Sequence, residues 1–339
     1  MNIMSRFVSL PRNLRVLLLL VGFAVGLSCA RAEAGYEYFV TGDPARPAPR
    51  ATEPGLMLMG GSDNVDEAFR WLIRKAGGGR LVVLRASGDD NYHDYFFKEL
   101  GGIVSVETIV FHDKASSADP RVLEILRHAD GIFIAGGDQS NYVKFWQGTP
   151  VNAALDAHVR AGKPIGGTSA GLAILGAYTY GCMDSISLLP ADALRDPFGP
   201  SVTLVRDFLH LPYLADVITD SHFTARGRLG RLVPFVARLT VEEKKPIQGL
   251  GVDEKTALCI EPDGTARVFT QEHGKVWLVR SPSTVKTLKP GQPLVVDKVS
   301  VVVLDPQSRL DLKTFAVEHA SERLVASAAD GQLTVLPQP

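Results

Sequence analysis

In Pro164-Ile165-Gly166-Gly167-Thr168-Ser169-Ala170-Gly171-Leu172, a short apolar segment runs into Gly-x-Ser-x-Gly and on into Leu172–Tyr178, which reads as a helix. A strand that turns sharply into a helix places the residue at the turn where its side chain projects outward, and small neighbours let the chain make that turn. Ser169 is therefore the candidate nucleophile. The N–H of Ala170 would face a developing oxyanion, and the helix that follows would add its positive end.

Outward from this point the pattern repeats. Leu56–Met59, Arg80–Leu84, Val104–Phe111 and Gly131–Ala135 are apolar runs of strand length. Between them Val65–Ala76, Tyr92–Leu100, Pro120–His128 and Val151–Ala161 show helical spacing, with Asp119 placed to cap the third. Strands that are apolar throughout and alternate with helices imply a parallel sheet covered on both faces. The expected class is α/β, a doubly wound parallel sheet, whose ligands bind at the carboxyl ends of strands. The Gly136-Gly137-Asp138-Gln139 and Ser169 loops both lie at such ends.

The expected organisation is a signal peptide over 1–34, an N-terminal arm over 35–54 rich in Pro, Ala and Arg, an α/β domain over 55–264 and a β-rich extension over 265–339. Within the extension a helix is expected in Leu310–Ala328. The leader has Arg6, Arg12 and Arg15, then an apolar run Val16–Leu27, then two Ala-x-Ala sites ending at Ala32 and Ala34. That is the pattern of export, and the run is short of the roughly 20 residues of a membrane span. A periplasmic or secreted protein is expected. The chain has 339 residues, 22 % of them charged, and a formal net charge of −1, which gives no electrostatic reason to bind nucleic acid. Cys, His and carboxylates show no metal-ligand spacing, so neither metal nor cofactor is expected. Cys182 and Cys259 could pair or remain buried thiols. The oligomeric state is open, a homodimer included.

A nucleophilic Ser needs a base, and the base an acid that orients it. His222 ends the run Ile218-Thr219-Asp220-Ser221-His222, as residues of catalytic loops do. Gly249-Leu250-Gly251-Val252-Asp253-Glu254 offers two carboxylates after another short strand. Arg226, Arg228 and Arg231 follow His222, and their spacing does not put all three on one helical stripe. A loop wrapped around a carboxylate would use them as bidentate forks; a solvated helix face is the plainer alternative.

Four motifs in this order, Gly-Gly-Asp-Gln at 136–139, Gly-Gly-Thr-Ser-Ala-Gly at 166–171, Asp-Ser-His-Phe-x-x-Arg-x-Arg-x-x-Arg-Leu at 220–232 and Gly-Leu-Gly-Val-Asp-Glu-x-Thr-Ala at 249–257, resemble the cyanophycinase branch of a serine peptidase family that also holds aspartyl dipeptidases. The resemblance covers about Gly55 to Ile260 and implies a fold like the class I glutamine amidotransferase domain, with Ser at the elbow. It implies Ser169 as nucleophile, His222 as base, Glu254 as acid, and Gly137 and Ala170 as oxyanion donors. It also implies a substrate pocket of Gln139, Asp220, Arg226, Arg228 and Arg231. The order Ser, His, Glu differs from α/β-hydrolases, in which the acid precedes the His. Ser221 stands where cyanophycinases have Gln, a departure at the pocket rather than in the triad. The implied activity is hydrolysis of a peptide or polymer with β-linked aspartate through an acyl-enzyme, releasing β-Asp-Arg-type dipeptides. An aspartyl or isoaspartyl dipeptidase and a non-catalytic exported binding protein are the rival functions.

Overall fold

Every residue of Leu56–Met59 is buried, with Leu56 and Leu58 facing one apolar cluster and Met57 and Met59 another. Burying such a side chain contributes about 1.5–3 kcal/mol, more than the roughly 1–2 kcal/mol per residue needed to order its backbone. A strand apolar on both faces is thus stable only as an inner strand with cover on each side. The computed structural model, which describes residues 35–184 and 186–338, provides that cover. The leader expected over 1–34 lies outside the described residues.

Elements are numbered in chain order. Among the described residues the strands form two sheets. The first contains β1 (Tyr36–Gly42), β2 (Leu56–Met59), β3 (Arg80–Arg85), β4 (Ser105–Phe111), β5 (Gly131–Ile134), β6 (Ile165–Thr168), β11 (Thr256–Ile260), β12 (Thr265–Thr270), β16 (Arg309–Asp311) and β17 (Ala316–Glu318). Its order is β1-β4-β3-β5-β6-β2-β11-β12-β16-β17, with the run from β4 to β2 parallel. The second contains β7 (Tyr178–Tyr180), β8 (Leu204–Arg206), β9 (Val217–Asp220), β10 (Gln248–Val252), β13 (Val276–Val279), β14 (Val285–Thr287), β15 (Val295–Leu304), β18 (Glu322–Ala329) and β19 (Gln332–Pro337). Its order is β19-β18-β15-β13-β10-β9-β7-β8, with β14 on β15.

The helices are α1 (Asp66–Lys75), α2 (Tyr92–Asp94, widening into a π turn over Tyr95–Leu100), α3 (Pro120–His128), α4 (Gln139–Trp146), α5 (Pro150–Arg160), α6 (Ala170–Ala173), α7 (Pro190–Arg195) and α8 (Leu229–Glu243). One face of the first sheet packs on α1 and α2, where Phe69, Phe96 and Phe133 meet edge to face. The other face packs on α3, α4 and α5 and, through Leu250, Leu278 and Val302, on the second sheet. That sheet's far face carries Ile218, Val279 and Val301 against Phe235 and Val236 of α8. The mixed α/β class with a parallel core is as expected, and Asp119 caps α3 by accepting from the N–H groups of Arg121 and Val122.

Four expectations are corrected. The arm over 35–54 begins with β1, antiparallel to β4 from Tyr36–Phe111 to Gly42–Ser105. It occupies an edge whose backbone groups would otherwise be unpaired. The limit at Gly264 separates nothing, because β12 pairs with β11 and continues the first sheet. Leu310–Ala328 holds β16, β17 and most of β18 instead of a helix, since both sheets offer edges with which this turn-punctuated segment pairs. The helix after Ser169 is only α6, four residues long, which then gives way to β7. A single turn carries little macrodipole, so stabilisation of an oxyanion there would rest on individual N–H groups.

Candidate active site

Ser169 joins β6 to α6 at φ 54°, ψ −117°, a conformation that costs a non-glycine residue about 1–3 kcal/mol. Packing on both sides holds it. Its N–H donates to Met59 O at 3.1 Å, and Gly171 lets α6 press on β5, where a Cβ would lie 2.2 Å from Ile134 O.

β9 and β10 are parallel neighbours with Asp220 opposite Gly251, so the residues just past their ends meet. His222 and Glu254 occupy those positions. The Ser169 hydroxyl donates to His222 Nε2 at 2.7 Å, and His222 Nδ1–H donates to Glu254 Oε1 at 2.6 Å. The carboxylate can only accept, which fixes the imidazole tautomer and leaves Nε2 as the acceptor for Ser169. Of the two carboxylates that the residue pattern left open, Glu254, the one the resemblance implies, faces the histidine. Asp253 instead accepts from Thr224 N and Oγ1 and from Lys275 N, tying the His222 loop to β13.

The turn after β2, which drew no functional expectation, joins these parts. Gly60 O accepts from His222 N at 2.8 Å, and Gly61 O accepts from Lys255 N at 2.9 Å. Gly61 has φ +105°, and a Cβ there would lie 2.5 Å from His222 Cε1. Its only signal was a Gly-Gly pair directly after a buried strand.

Burial pushes the His222 pKa down, Glu254 opposes this, and the charges of Arg226 and Arg228 lower it further; the net position is below the ordinary value. The His222 imidazole therefore stays neutral, and able to accept a proton, to lower pH than an ordinary histidine. Arg226→Gln removes one repulsive charge, which raises the His222 pKa. The acid limb of kcat/KM is expected to move to higher pH, and a pH–rate profile of the two proteins checks this. An unmoved limb would show that Arg226 does not act on His222.

Gly136 touches Ser169: a Cβ there would lie 3.3 Å from Ser169 Cβ. Tyr142 OH donates to Ala135 O at 2.8 Å and fixes this loop. Gly137, next in line, has φ +147°. As the first residue of α6, Ala170 has no intrahelical acceptor for its N–H. In front of Ser169 and His222 lies a cleft of about 450 Å³, whose walls include Asp63, Arg85, Asn91 and Tyr92.

The expected pocket residues divide. Arg226 is exposed near His222, and Gln139, half-buried, donates to Tyr180 O at 3.4 Å. Asp220, Arg228 and Arg231 do not line the cleft. They are 2 %, 7 % and 1 % exposed and occupied with one another. Arg231 Nε and Nη2 bond Asp220 Oδ2 and Oδ1 at 2.7 and 2.6 Å, while Arg228 Nη1 reaches Asp220 Oδ1 at 3.1 Å and Ser221 O at 2.8 Å. Arg231 also lies over the Tyr180 ring at 4.7 Å. Spacing in sequence places charges near one another but cannot tell a fork aimed at a ligand from one closed on a buried carboxylate. Ser221 belongs to this cluster through its carbonyl and its hydroxyl. Of the other histidines, His93 bonds Thr41 and Thr108, His158 bonds Pro164 O, and His210 bonds Asp156 and Asp207. Cys182 and Cys259 are free and buried, and burial pushes the Cys259 thiol well up.

Residues 56–268 match the family model of peptidase family S51. The chain is similar to a cyanophycinase of Synechococcus elongatus, 31 % identical over 233 residues, which is 67 % of this chain and 66 % of that relative's length. It is also similar to a cyanophycinase of Trichormus variabilis, 26 % identical over 291 residues, 81 % of this chain and 91 % of the relative. Among solved structures, a peptidase from an acI-B1 Actinobacterium matches with a TM-score of 0.51 at 15 % identity, over 76 % of this chain and 97 % of that one, a likeness of fold. With its fold and four ordered motifs accounted for, the chain belongs to peptidase family S51, as a cyanophycinase-like member.

Proposed function

We propose that this protein is an exported serine peptidase that hydrolyses peptides or polymers carrying β-linked aspartate, cyanophycin being the first candidate. Ser169 Oγ attacks the amide carbonyl carbon while its proton passes to His222 Nε2, and Glu254 holds the imidazolium that forms. The N–H groups of Gly137 and Ala170 take the oxyanion. The amine leaves with the proton from His222, an acyl ester remains on Ser169, and a water deprotonated by His222 releases the acid. The observation that carries this is the unbroken line Ser169 Oγ, His222, Glu254, with bonds of 2.7 and 2.6 Å, beside a backbone held out of its ordinary region. A binding module has no use for that strain. The names of the relatives support cyanophycin, and the leader over 1–34 supports export.

The test uses the full chain, recovered from a periplasmic fraction, where its first residue is expected to be Glu33 or Gly35. Incubated with insoluble cyanophycin, wild-type protein is expected to release β-Asp-Arg, detected by mass spectrometry, and Ser169→Ala to release none. Cleavage confined to Asp- or isoAsp-linked dipeptides would favour the dipeptidase. No hydrolysis by correctly folded wild type would favour the binding protein.

A further inference from the structure

With Arg228 and Arg231 taken up by Asp220, recognition of a substrate carboxylate is left with Arg226 alone of the three expected arginines, and Arg226 is not on the cleft wall. We propose that Arg85 supplies it, binding the free carboxylate of an aspartyl substrate beside Ser169. This rests on Ser169 being the nucleophile.

Arg85 closes β3 at the carboxyl end of the parallel run, where such sheets bind ligands. It shares the cleft of Ser169 and His222. Its Nε donates to Ser87 O at 2.9 Å and its Nη1 to Asp89 O at 3.1 Å and to Asn91 Oδ1, and the guanidinium lies 5.8 Å from the Tyr92 ring centroid. All of these partners are neutral. Among the described residues no carboxylate forms an ion pair with Arg85. Asp63, the carboxylate on the cleft wall, shares Lys255 (3.2 Å) with Glu272 (2.7 Å). Arg85 is thus the one lysine or arginine among the described residues of the cleft wall, and it is held without a carboxylate partner. Gly88 lies against Nη2, where a Cβ would sit 2.4 Å away.

The loop that holds Arg85 also abuts the oxyanion loop. Ser87 Oγ lies 3.2 Å from the Cβ position of Gly137, and Gly136 is in contact with Ser169. A carboxylate on Arg85 therefore sits on the side of Ser169 that holds the carbonyl oxygen. A fork fixed by three acceptors loses little freedom on binding.

The experiment compares aspartate p-nitroanilides, α-linked and β-linked, with counterparts whose free carboxylate is an amide. Wild type is expected to prefer the carboxylate member of one pair by about 100-fold in kcat/KM, the range of a charge-assisted hydrogen bond. Arg85→Gln is expected to reduce that preference to within about threefold, largely through KM, and Arg85→Lys to keep part of it, as charge survives without the fork. A preference undiminished in Arg85→Gln, or one lost in Arg226→Gln instead, would overturn the assignment. If wild type takes a fluorophosphonate on Ser169 but cleaves no anilide, succinate is expected to slow labelling in wild type and not in Arg85→Gln; equal slowing, or none, overturns it. Wild type that neither cleaves nor labels overturns the nucleophile and the anchor together.

Discussion

Ser169→Ala is expected to lower kcat on the substrate that wild type cleaves by roughly 10⁶-fold while leaving the thermal midpoint within a few degrees of wild type. In the proposed mechanism the hydroxyl supplies the attacking atom, and among the described residues it is Ser169 Oγ that bonds His222 Nε2. The same loss is expected of His222→Ala, and the double variant should be no worse than either single one, because the pair acts as a unit. Glu254→Gln keeps the contact with Nδ1 but can present an amide N–H where a carboxylate accepts. It removes the charge that stabilises the imidazolium and upsets the tautomer, at a cost of roughly 10⁴-fold. Single-turnover kinetics and thermal denaturation of the four proteins decide the matter. A Ser169→Ala protein that keeps more than a hundredth of wild-type kcat would remove Ser169 from the chemistry.

Asp220→Asn is expected to act on stability. Asp220 is the carboxylate shared by two buried guanidinium groups, and its neutralisation leaves both uncompensated at 7 % and 1 % exposure. Breaking a buried pair in this way costs about 3–5 kcal/mol. That corresponds to a fall of roughly 6–10 °C in the thermal midpoint for a domain of this size. Burial alone would raise the Asp220 pKa, but Arg231 and Arg228 outweigh it and hold the carboxyl below its ordinary value. Because the folded value is depressed, the contribution of Asp220 is complete above the ordinary carboxylate range and is lost as pH falls through the folded value. Wild type should therefore lose stability in acid more steeply than Asp220→Asn, which has nothing to protonate at that position. Chemical denaturation from pH 7 downward measures both effects. A variant with an unchanged midpoint and a raised KM would return Asp220 to the substrate pocket.

This cluster shows where reading the chain in one dimension stops. The alternation of apolar runs with helical spacing from Leu56 to Ile165 follows from side-chain periodicity, and so the parallel core is legible before any coordinates. The elbow at Ser169 is legible too, because small residues around a serine between a strand and a helix leave few alternatives. His222 and Glu254 each follow an apolar run, and that local cue was enough to nominate them, although Asp253 shared it. The sequence determined the class of fold and the candidates for the chemistry, since both depend on periodicity and on residues close in the chain. Tertiary structure decided the rest, the choice between Asp253 and Glu254 having been implied by the family resemblance and not by the local pattern. The pairing of β9 with β10 puts Glu254 rather than Asp253 against the histidine, and Gly61 brings β2 into the site by leaving room for the imidazole. The fold of residues 220–231 turns two arginines inward onto Asp220, while β3 ends with Arg85 in the cleft. Whether a charge meets a partner or stays open to a ligand depends on what lies across from it, and residues distant in the chain supply that.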